Sequence, residues 1–459
     1  MNTTVDRVKV GFATLAQPTF DVGWSQDMMK RSIRILKKLG VEVVSLDRPL
    51  MSEAEAWELR RQFEKQQIDV LLVQSGAFAW GGLVMILAGE GQIPCILWAT
   101  PEPPFDGGPI RSNSLCAVIM NNSNLRKAGS SPGFLFGAPE QVEAELGSLV
   151  KAARAAARLK RSKIGIVGHR VPGFYSSGFN EIRLQASLGP QAHHLDLSTV
   201  LSRMRRVSED MVNQVVESDL PVISGMIAGK EDGLRGSVRA YLALKELARE
   251  HSLDALAVKC WPEFPTENGM SVCLSLSLLN DSGIPTACEA DVYGATTMLV
   301  LLELTSEPMF FNDLIQVDEE TNQALFWHCG AAPRKLRSPS SLCEVRTHAM
   351  RGTAATIDFS LKPGRVTIAR ISEDGPGWKI LAVAGEAVET PLLLRGNTLS
   401  VRMDNRVKAL VRTILEEGIE HHFVLAYGDV TKEIQWLSKL MNIRNIEVAT
   451  PNVDKKVAK

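Results

Sequence analysis

Hydrophobic and polar positions follow two rhythms in the first two thirds of the chain. Short apolar runs, such as 68–74 and 93–99, are separated by longer segments, such as 53–67, whose apolar residues recur at helical spacing. Apolar strands that alternate with helices predict parallel sheets covered on both faces. The pattern restarts at Lys163, after a basic helix predicted over 141–161. We therefore expect two successive α/β domains.

The rhythm changes after residue 345. Apolar and polar residues alternate over 353–361, 365–371 and 378–383, with turns that contain Gly and Pro between these runs. Short strands at ~10-residue spacing are typical of antiparallel barrels or sandwiches. The predicted fold class is α/β, with two doubly wound parallel-sheet domains followed by a β-rich, barrel-like C-terminal domain. The predicted domains are 1–162, 163–340 and 341–459.

Composition narrows the class of protein. The 459 residues are 45% hydrophobic and 22% charged, with a formal net charge of −1, so neither global disorder nor a strongly basic nucleic-acid surface is indicated. No apolar run approaches the ~18 residues of a transmembrane helix, and the N-terminal segment shows no secretory pattern. The seven cysteines form no CxxC pair, which indicates reduced thiols. We expect a cytoplasmic protein with neither nucleic acid nor membrane as a partner.

Acidic residues follow two neighbouring predicted strands. Glu263 comes just after the strand 253–259, and Glu289 and Asp291 come at the end of the strand 284–288. Because ligands bind at the carboxyl ends of parallel strands, these carboxylates could hold a divalent metal or work as an acid/base pair. A single carboxylate at such a place is more often a helix cap or a surface ion pair.

Histidines supply the other candidate ligands. His328 follows the apolar run 324–326, and His421 and His422 open the apolar strand 423–426. Neighbouring residues of a strand point to opposite faces, so at most one of His421 and His422 is expected to face a given site. A histidine beside an apolar run is more often a hydrogen-bonded core residue than a ligand. The residues alone therefore indicate an α/β protein with a candidate carboxylate and histidine metal site.

Several motifs resemble the L-fucose isomerase/L-arabinose isomerase family, particularly its shorter fucose-isomerase-like branch. The motifs are Lys259-Cys-Trp-Pro-Glu263, 273–285, Cys288-Glu-Ala-Asp-Val292, Trp327-His-Cys-Gly330, 420–429 and the loop 168–179. The resemblance spans nearly the whole chain. It implies an enzyme that converts aldoses to ketoses with Mn²⁺, or with Mg²⁺ or Co²⁺ in its place, and a homo-oligomer, often a hexamer in the family.

The resemblance also implies roles for individual residues. By the matching motifs, Glu263, Asp291 and His422 would bind the metal, and the two carboxylates would double as acid and base. On a strand, Glu289 would share the face of Asp291. Alternatives stay open at each position: Glu289 for Asp291, Glu267 for Glu263 and His421 for His422.

The substrate implied by the resemblance is a small sugar, either an aldohexose or deoxyhexose like L-fucose, or a sulfohexose. Conversion of sulfoquinovose to sulfofructose is one candidate. The side chains expected near the sugar are Glu289, His328, Trp261, Arg111, His169 and Arg170. Of these, the arginines and His169 could bind a sulfonate, and Trp261 could stack on a sugar ring, as could Trp80 and Trp98. In an oligomer, residues 75–82 and 98–112 of a neighbouring subunit could complete the pocket.

Two other functions stay open. Two α/β domains also build sugar-binding proteins that have no catalytic activity. A metal-dependent epimerase or lyase could use the same scaffold, because an enediolate can be reprotonated on another face or can eliminate.

Overall fold

The computed structural model describes residues 7–89 and 93–448. Contacts divide the chain into two compact units, Met1–Ala157 with Lys432–Arg444 and Arg158–Thr431 with Asn445–Lys459. Among the described residues, no helix combines the length and apolar character needed to cross a membrane.

The first unit is built on a parallel five-stranded sheet of order β2-β1-β3-β4-β5. Its strands are β1 (Lys9–Leu15), β2 (Glu42–Val44), β3 (Val70–Ser75), β4 (Cys95–Ala99) and β5 (Gly133–Phe136). The helices of this part of the chain are α1 (Val22–Lys38), α2 (Glu53–Gln66), α3 (Gly81–Ala88), α4 (Ser114–Lys127) and α5 (Glu143–Lys160). The α/β architecture predicted from the alternating pattern is confirmed.

Local sequence signals set the helix ends of this unit. Helix α2 begins at a capping box, in which Ser52 accepts from the backbone N–H of Glu55 and the Glu55 side chain accepts from the backbone N–H of Ser52. It ends at Gln67, which adopts a left-handed conformation. The face of α2 that carries Leu59 and Phe63 is fully buried in the core.

The second unit begins with a four-stranded parallel sheet of order β10-β9-β6-β7. The strands of this stretch are β6 (Lys163–Val167), β7 (Gln191–Leu195), β8 (Val222–Ile223), β9 (Ala255–Val258) and β10 (Thr286–Ala287). The helices are α6 (Glu181–Arg183), α7 (Leu197–Arg206), α8 (Glu209–Ser218), α9 (Glu231–Glu250), α10 (Glu263–Asn268), α11 (Cys273–Asp281) and α12 (Val292–Thr305).

The remaining strands form the β-rich part of the second unit. They are β11 (Phe310–Asp318), β12 (Gln323–His328), β13 (Glu344–Thr347), β14 (Ala354–Ser360), β15 (Gly364–Asp374), β16 (Gly377–Val388), β17 (Asn397–Met403), β18 (His422–Tyr427) and β19 (Arg444–Ile446), with the helix α13 (Val407–Glu416). Helix α14 (Thr431–Leu440) follows β18 in the chain and belongs, from Lys432 onward, to the first unit. Strands β16-β15-β18-β11-β12-β17 are antiparallel neighbours, and the pairing of β16 with β17 closes them into a barrel. The predicted barrel is confirmed, and its first two strands precede residue 341.

Helix α12 joins the parallel sheet to the barrel inside the second unit. It packs on β9 and β10 on one side and on β15 and β18 on the other. Eleven of its 14 residues are buried, so its sequence lacks the polar stripe that marks a surface helix. Two of the predicted site residues, Asp291 and His422, lie at the N-terminal ends of α12 and β18.

Candidate active site

His422 lies at the centre of the site. It is the first residue of β18, and its side chain is 2% exposed. Its Nδ1 lies 2.9 Å from Oδ2 of Asp291. A histidine that donates Nδ1–H to a carboxylate presents the lone pair of Nε2 to any cation at the opposite edge of the ring. Burial lowers the pKa of His422, but the carboxylates of Asp291 and Glu289 raise it by more.

Asp291 has a partner for each of its carboxylate oxygens. As the N-cap of α12, it accepts through Oδ1 from the backbone N–H of Gly294 at 2.8 Å. Its Oδ2 also accepts from Nη1 of Arg370 at 2.6 Å. Burial raises the pKa of Asp291, but the charge of Arg370 and the contact with His422 lower it far below its usual range. Asp291 is therefore an anion held by three donors.

Glu289 faces the other edge of the His422 ring. Its Oε2 lies 3.2 Å from Nε2 of His422 and has no hydrogen-bond partner among the described residues. Burial raises the pKa of Glu289, but His421 and His422 lower it to about 2. The prediction that Glu289 and Asp291 share a strand face is wrong, because Glu289 and Ala290 adopt left-handed conformations at φ 57° and 55° after β10 has ended.

His421 approaches the same carboxylate. Its Nε2 lies 3.7 Å from Oε2 of Glu289, and its ring centroid is 3.8 Å from that of His422. The expectation that at most one of these histidines faces the site is wrong, because β18 begins at His422 and strand alternation does not extend to the residue before it. The Nδ1 of His421 lies 3.3 Å from the hydroxyl of Ser176.

Sequence reasoning missed Asp313, which lies opposite His422 on the neighbouring strand β11. Its Oδ1 is buried, has no hydrogen-bond partner among the described residues, and lies 3.8 Å from Nε2 of His422. Burial raises the pKa of Asp313. Irregular pairing of β11 around Leu314 interrupts the alternation that would have marked the strand.

His328 ends β12 beside this group and is 3% exposed. Its ring centroid lies 5.5 Å from that of Phe311 and 6.2 Å from that of His422. The structure thus places His328 near the predicted ligand His422.

Glu263 is the first residue of α10, immediately after the loop that leaves β9. Its Oε1 accepts from Nζ of Lys259, and its Oε2 is buried without a hydrogen-bond partner among the described residues. Burial raises the pKa of Glu263, but Lys259 lowers it by more. Glu267, the alternative, is exposed at the far end of the same short helix.

The loop that follows β6 reaches the histidine pair. Phe174 packs edge-on against both Trp261 and His421, with ring centroids 5.9 Å apart in each case. Arg170 stacks on Tyr175 at 4.6 Å, and its Nη1 is buried without a hydrogen-bond partner among the described residues. His169 is exposed on the same loop.

The other predicted sugar contacts lie in the first unit. Arg111 forms an ion pair with Asp21, with Nη2 2.6 Å from Oδ2. Trp98 is fully buried in β4, and its Nε1 donates to the carbonyl of Gly137. A sugar cannot stack on Trp98, because neither face of its ring is open.

The second-unit group fits a divalent cation. Glu289, His421 and His422 each offer one ligand atom, and the three atoms lie within 4.8 Å of one another. Adjacent ligands of an octahedral ion at ~2.1 Å are separated by about 3 Å, close to the 3.2 Å between Glu289 and His422. Oxygen ligands with imidazole suit Mn²⁺ or Mg²⁺ better than copper. The ligand set Glu263, Asp291 and His422 stays a prediction, and these contacts favour Glu289 over Asp291.

Comparison with known proteins gives consistent matches. The family described as L-fucose isomerase, C-terminal domain, matches residues 326–448. Sulfoquinovose isomerase from Priestia aryabhattai is 30% identical over 446 residues, which is 96% of this chain and 98% of that protein. Sulfoquinovose isomerase from Alkalicoccus urumqiensis is 30% identical over 95% of this chain and 98% of its own length.

Solved structures also match, among them a periplasmic solute-binding protein from Actinobacillus succinogenes 130z with bound D-allose. It is 10% identical and covers 66% of this chain and 93% of its own, with a TM-score of 0.17. A TM-score this low carries no structural argument.

Proposed function

The chain belongs to the fucose-isomerase-like family of aldose–ketose isomerases that includes its sulfoquinovose isomerase relatives, and we propose that it converts sulfoquinovose to sulfofructose with a divalent metal ion. The proposed metal dependence rests on one observation: Oε2 of Glu289 lies 3.2 Å from Nε2 of His422. This carboxylate oxygen is buried and has no hydrogen-bond partner among the described residues. The names of the relatives support the substrate.

In this proposal Glu289 and His422 would hold the metal, with Glu263 as the second carboxylate. Asp291 keeps the imidazole of His422 in the orientation that presents Nε2, instead of binding the metal itself. When bound, the metal supplies Lewis-acid stabilisation of the negative charge that develops on the sugar's O1 and O2.

The isomerisation itself moves one proton from C2 to C1 and one from O2 to O1, through an enediol. Glu263 is suited to take the proton from C2 and return it to C1. Lys259 keeps the pKa of Glu263 below its usual value although burial raises it, and Oε2 of Glu263 has no hydrogen-bond partner among the described residues. His328, buried beside His422, would face the sugar hydroxyls.

The first experiment tests metal, reaction and substrate together. The purified protein is treated with EDTA and assayed by NMR for ketose formation from sulfoquinovose, L-fucose and glucose, with and without added Mn²⁺. We expect sulfofructose only when Mn²⁺ is present. Full turnover by the metal-free protein would contradict the proposed metal dependence. Turnover of L-fucose alone would contradict the proposed sulfosugar substrate. An epimer or an elimination product would indicate the epimerase or lyase alternative.

Single substitutions then test the ligand assignment. Glu289→Gln removes the anion beside His422 and should lower both Mn²⁺ affinity and kcat by more than about 100-fold, because even residues behind a ligand cost 10- to 100-fold. Glu267→Gln, an exposed residue on α10, is the matched control and should leave both unchanged. Equal effects of the two substitutions would refute the role of Glu289.

Arg170 is our candidate for recognition of the sulfonate. Its Nη1 is buried without a hydrogen-bond partner among the described residues, on the loop whose Phe174 packs against His421. A hydrogen bond between charged groups contributes about 1.5–3 kcal/mol. Arg170→Met should therefore lower kcat/KM for sulfoquinovose by roughly 10- to 100-fold. The control is Arg205→Met, on the exposed end of α7, which should have no effect.

We also propose that the protein is a cytoplasmic homo-oligomer. In the first unit, Trp80 is 64% exposed and Phe105 is 93% exposed, on the two segments expected to meet a neighbouring subunit. Large exposed aromatic side chains are typical of interfaces. Light scattering should give a mass that is a multiple of 50.3 kDa, and Phe105→Glu should lower it. A monomer at micromolar concentration would contradict this assembly.

A further inference from the structure

Four of the seven cysteines lie close together, and one of them, Cys329, contacts His328. They are Cys260, Cys273, Cys288 and Cys329. Cys260, Cys273 and Cys288 are buried, whereas Cys329 is half-buried. The proposed isomerase chemistry uses none of these thiols, so their clustering calls for another explanation.

Cys273 and Cys329 form one close pair in this cluster. Their sulfur atoms lie 3.5 Å apart, although the two residues are 56 positions apart in the chain. Cys273 is the first residue of α11, and Cys329 comes directly after β12. A disulfide bond is about 2.05 Å long, so a combined movement of about 1.5 Å would join these sulfurs.

A soft metal is the first alternative for this pair, since a nitrogen of His348 lies within 4.8 Å of both sulfurs. The contacts of His348 argue against it. Its Nδ1 accepts from the backbone N–H of Met350 at 3.2 Å, and Nη1 of Arg351 lies 2.6 Å from its Nε2. Both ring nitrogens are thus engaged, and a permanent guanidinium charge beside them opposes a dication.

We propose that Cys273 and Cys329 form a reversible disulfide when a hydroperoxide reaches the cluster. The Cys329 thiolate attacks the peroxide, whose O–O bond breaks to give Cys329 sulfenic acid and, with hydrogen peroxide as oxidant, a hydroxide ion that takes a proton from solvent and becomes one molecule of water. The Cys273 thiol then attacks the sulfenic sulfur. The S–S bond forms, the S–O bond breaks, and a second water leaves with the Cys273 proton.

Two features favour Cys329 as the sulfur that attacks the oxidant first. It is more exposed than Cys273. Hydrogen bonds from the Cys273 and Cys288 thiols lower the pKa of Cys329 below its usual value, and His328, whose Nδ1 lies 3.6 Å from Sγ of Cys329, lowers it further. A thiolate is the nucleophilic form of cysteine.

Oxidation of Cys329 would also alter the candidate active site. This step rests on the proposed function. A shift of Cys329 toward α11 would change the 3.6 Å contact of its Sγ with Nδ1 of His328. That ring packs against Phe311 and lies 6.2 Å from His422. The disulfide should therefore displace His328 and lower isomerase turnover until a reductant restores both thiols.

The test uses the full-length protein. It is treated with hydrogen peroxide, the remaining thiols are alkylated, and the peptides are mapped by mass spectrometry before and after dithiothreitol. We expect a 273–329 crosslink, about 2 Da lighter than the two reduced peptides, that dithiothreitol removes. In parallel, turnover of sulfoquinovose with Mn²⁺ should fall in proportion to the crosslink and return on reduction.

The controls separate this pair from general oxidation. Cys273→Ser should oxidise at Cys329 to a sulfenic or sulfinic acid without forming the crosslink, and its melting temperature should match that of the wild type. Cys116→Ser removes an exposed thiol and should change neither the crosslink nor turnover. A crosslink to Cys288, oxidation confined to Cys116, or stoichiometric zinc in the untreated protein would overturn the proposal. A complete crosslink with unchanged turnover would overturn its link to the active site. If the reduced protein turns over no sugar, the proposed function fails, and the peptide map still decides the disulfide.

Discussion

The buried contact between Asp291 and Arg370 makes a quantitative prediction about stability. The Arg370 side chain is 0% exposed and that of Asp291 is 2% exposed, with 2.6 Å between Nη1 and Oδ2. Removing one partner of a buried pair leaves an uncompensated charge and typically costs about 3–5 kcal/mol. In Asp291→Asn, Arg370 keeps the longer 3.4 Å approach of its Nε to Oε2 of Glu420 as its carboxylate contact among the described residues.

We therefore expect Asp291→Asn to lower the free energy of unfolding by about 3 kcal/mol, the lower end of that range. Glu420 retains part of the compensation, and asparagine still caps α12, because its side-chain oxygen can accept from Gly294. The assay is urea denaturation followed by circular dichroism. The exposed pair between Arg412 and Glu416, 77% and 62% exposed, supplies the control, and Glu416→Gln should cost less than about 0.5 kcal/mol.

A double substitution makes the reasoning refutable. Arg370→Met in the Asp291→Asn background removes the orphaned charge, so the double variant should be more stable than Asp291→Asn alone by roughly 2 kcal/mol. Two results would refute this reasoning: Asp291→Asn lowers the free energy of unfolding no more than Glu416→Gln does, or the added Arg370→Met lowers it further. Either would mean that Asp291 and Arg370 do not compensate each other's buried charge. Because Asp291 also orients His422, we expect Asp291→Asn to weaken Mn²⁺ binding by about 10- to 100-fold.

Three further outcomes follow from single contacts. Gly294→Ala should destabilise α12 and lower Mn²⁺ affinity, since the added Cβ would lie 2.5 Å from the Phe311 ring; native melting of this variant would contradict that packing. Ser52→Ala removes the capping box of α2 and should cost about 1 kcal/mol in urea denaturation, whereas Ser123→Ala, exposed on α4, should not. Burial raises the pKa of Glu102, but three backbone N–H groups, of residues 111–113, lower it below 4.5, so its stabilisation is present above pH 4.5 and is lost as the pH falls through its folded pKa. The hydrogen-exchange protection factors of 102–113, which correct for the intrinsic pH dependence of exchange, should fall on acidification in the wild type and show less pH dependence in Glu102→Gln.

The sequence predicted secondary structure well where one face of an element is buried and the other is exposed to solvent. Periodicity predicted α2, which shows that contrast. Alternation of apolar and polar residues predicted β15 and β16, although both strands are buried along most of their length. Periodicity missed α12, which is buried nearly all round, and β11, whose irregular pairing interrupts the alternation. A short buried strand such as β3 is still marked by its apolar run, whereas a helix buried nearly all round shows no 3.6-residue periodicity.

The site could be predicted in outline but not in detail. Motifs brought Glu263, Asp291 and His422 together as candidates, and the structure does place Asp291 against His422, 131 residues apart. It was the local backbone that could not be foreseen. Left-handed conformations at Glu289 and Ala290 turn the chain after β10, and sequence offers little warning of them at residues other than glycine.

The choice between Glu289 and Asp291 depends on a third residue that neither motif contains. The two acids are two positions apart and chemically similar, so the motif treats them as alternatives. Arg370, on β15, distinguishes them: it neutralises Asp291 and leaves Glu289 as the carboxylate whose Oε2 faces Nε2 of His422 without a hydrogen-bond donor among the described residues. An anion that is already compensated by a buried guanidinium gains little from a metal, whereas an uncompensated anion beside an imidazole lone pair gains much. Because Arg370 also holds Asp291 against Nδ1 of His422, Arg370→Met in the wild-type background should disturb the imidazole that faces the cation. An altered electron paramagnetic resonance spectrum of bound Mn²⁺ is the expected signature, which an unchanged spectrum would contradict.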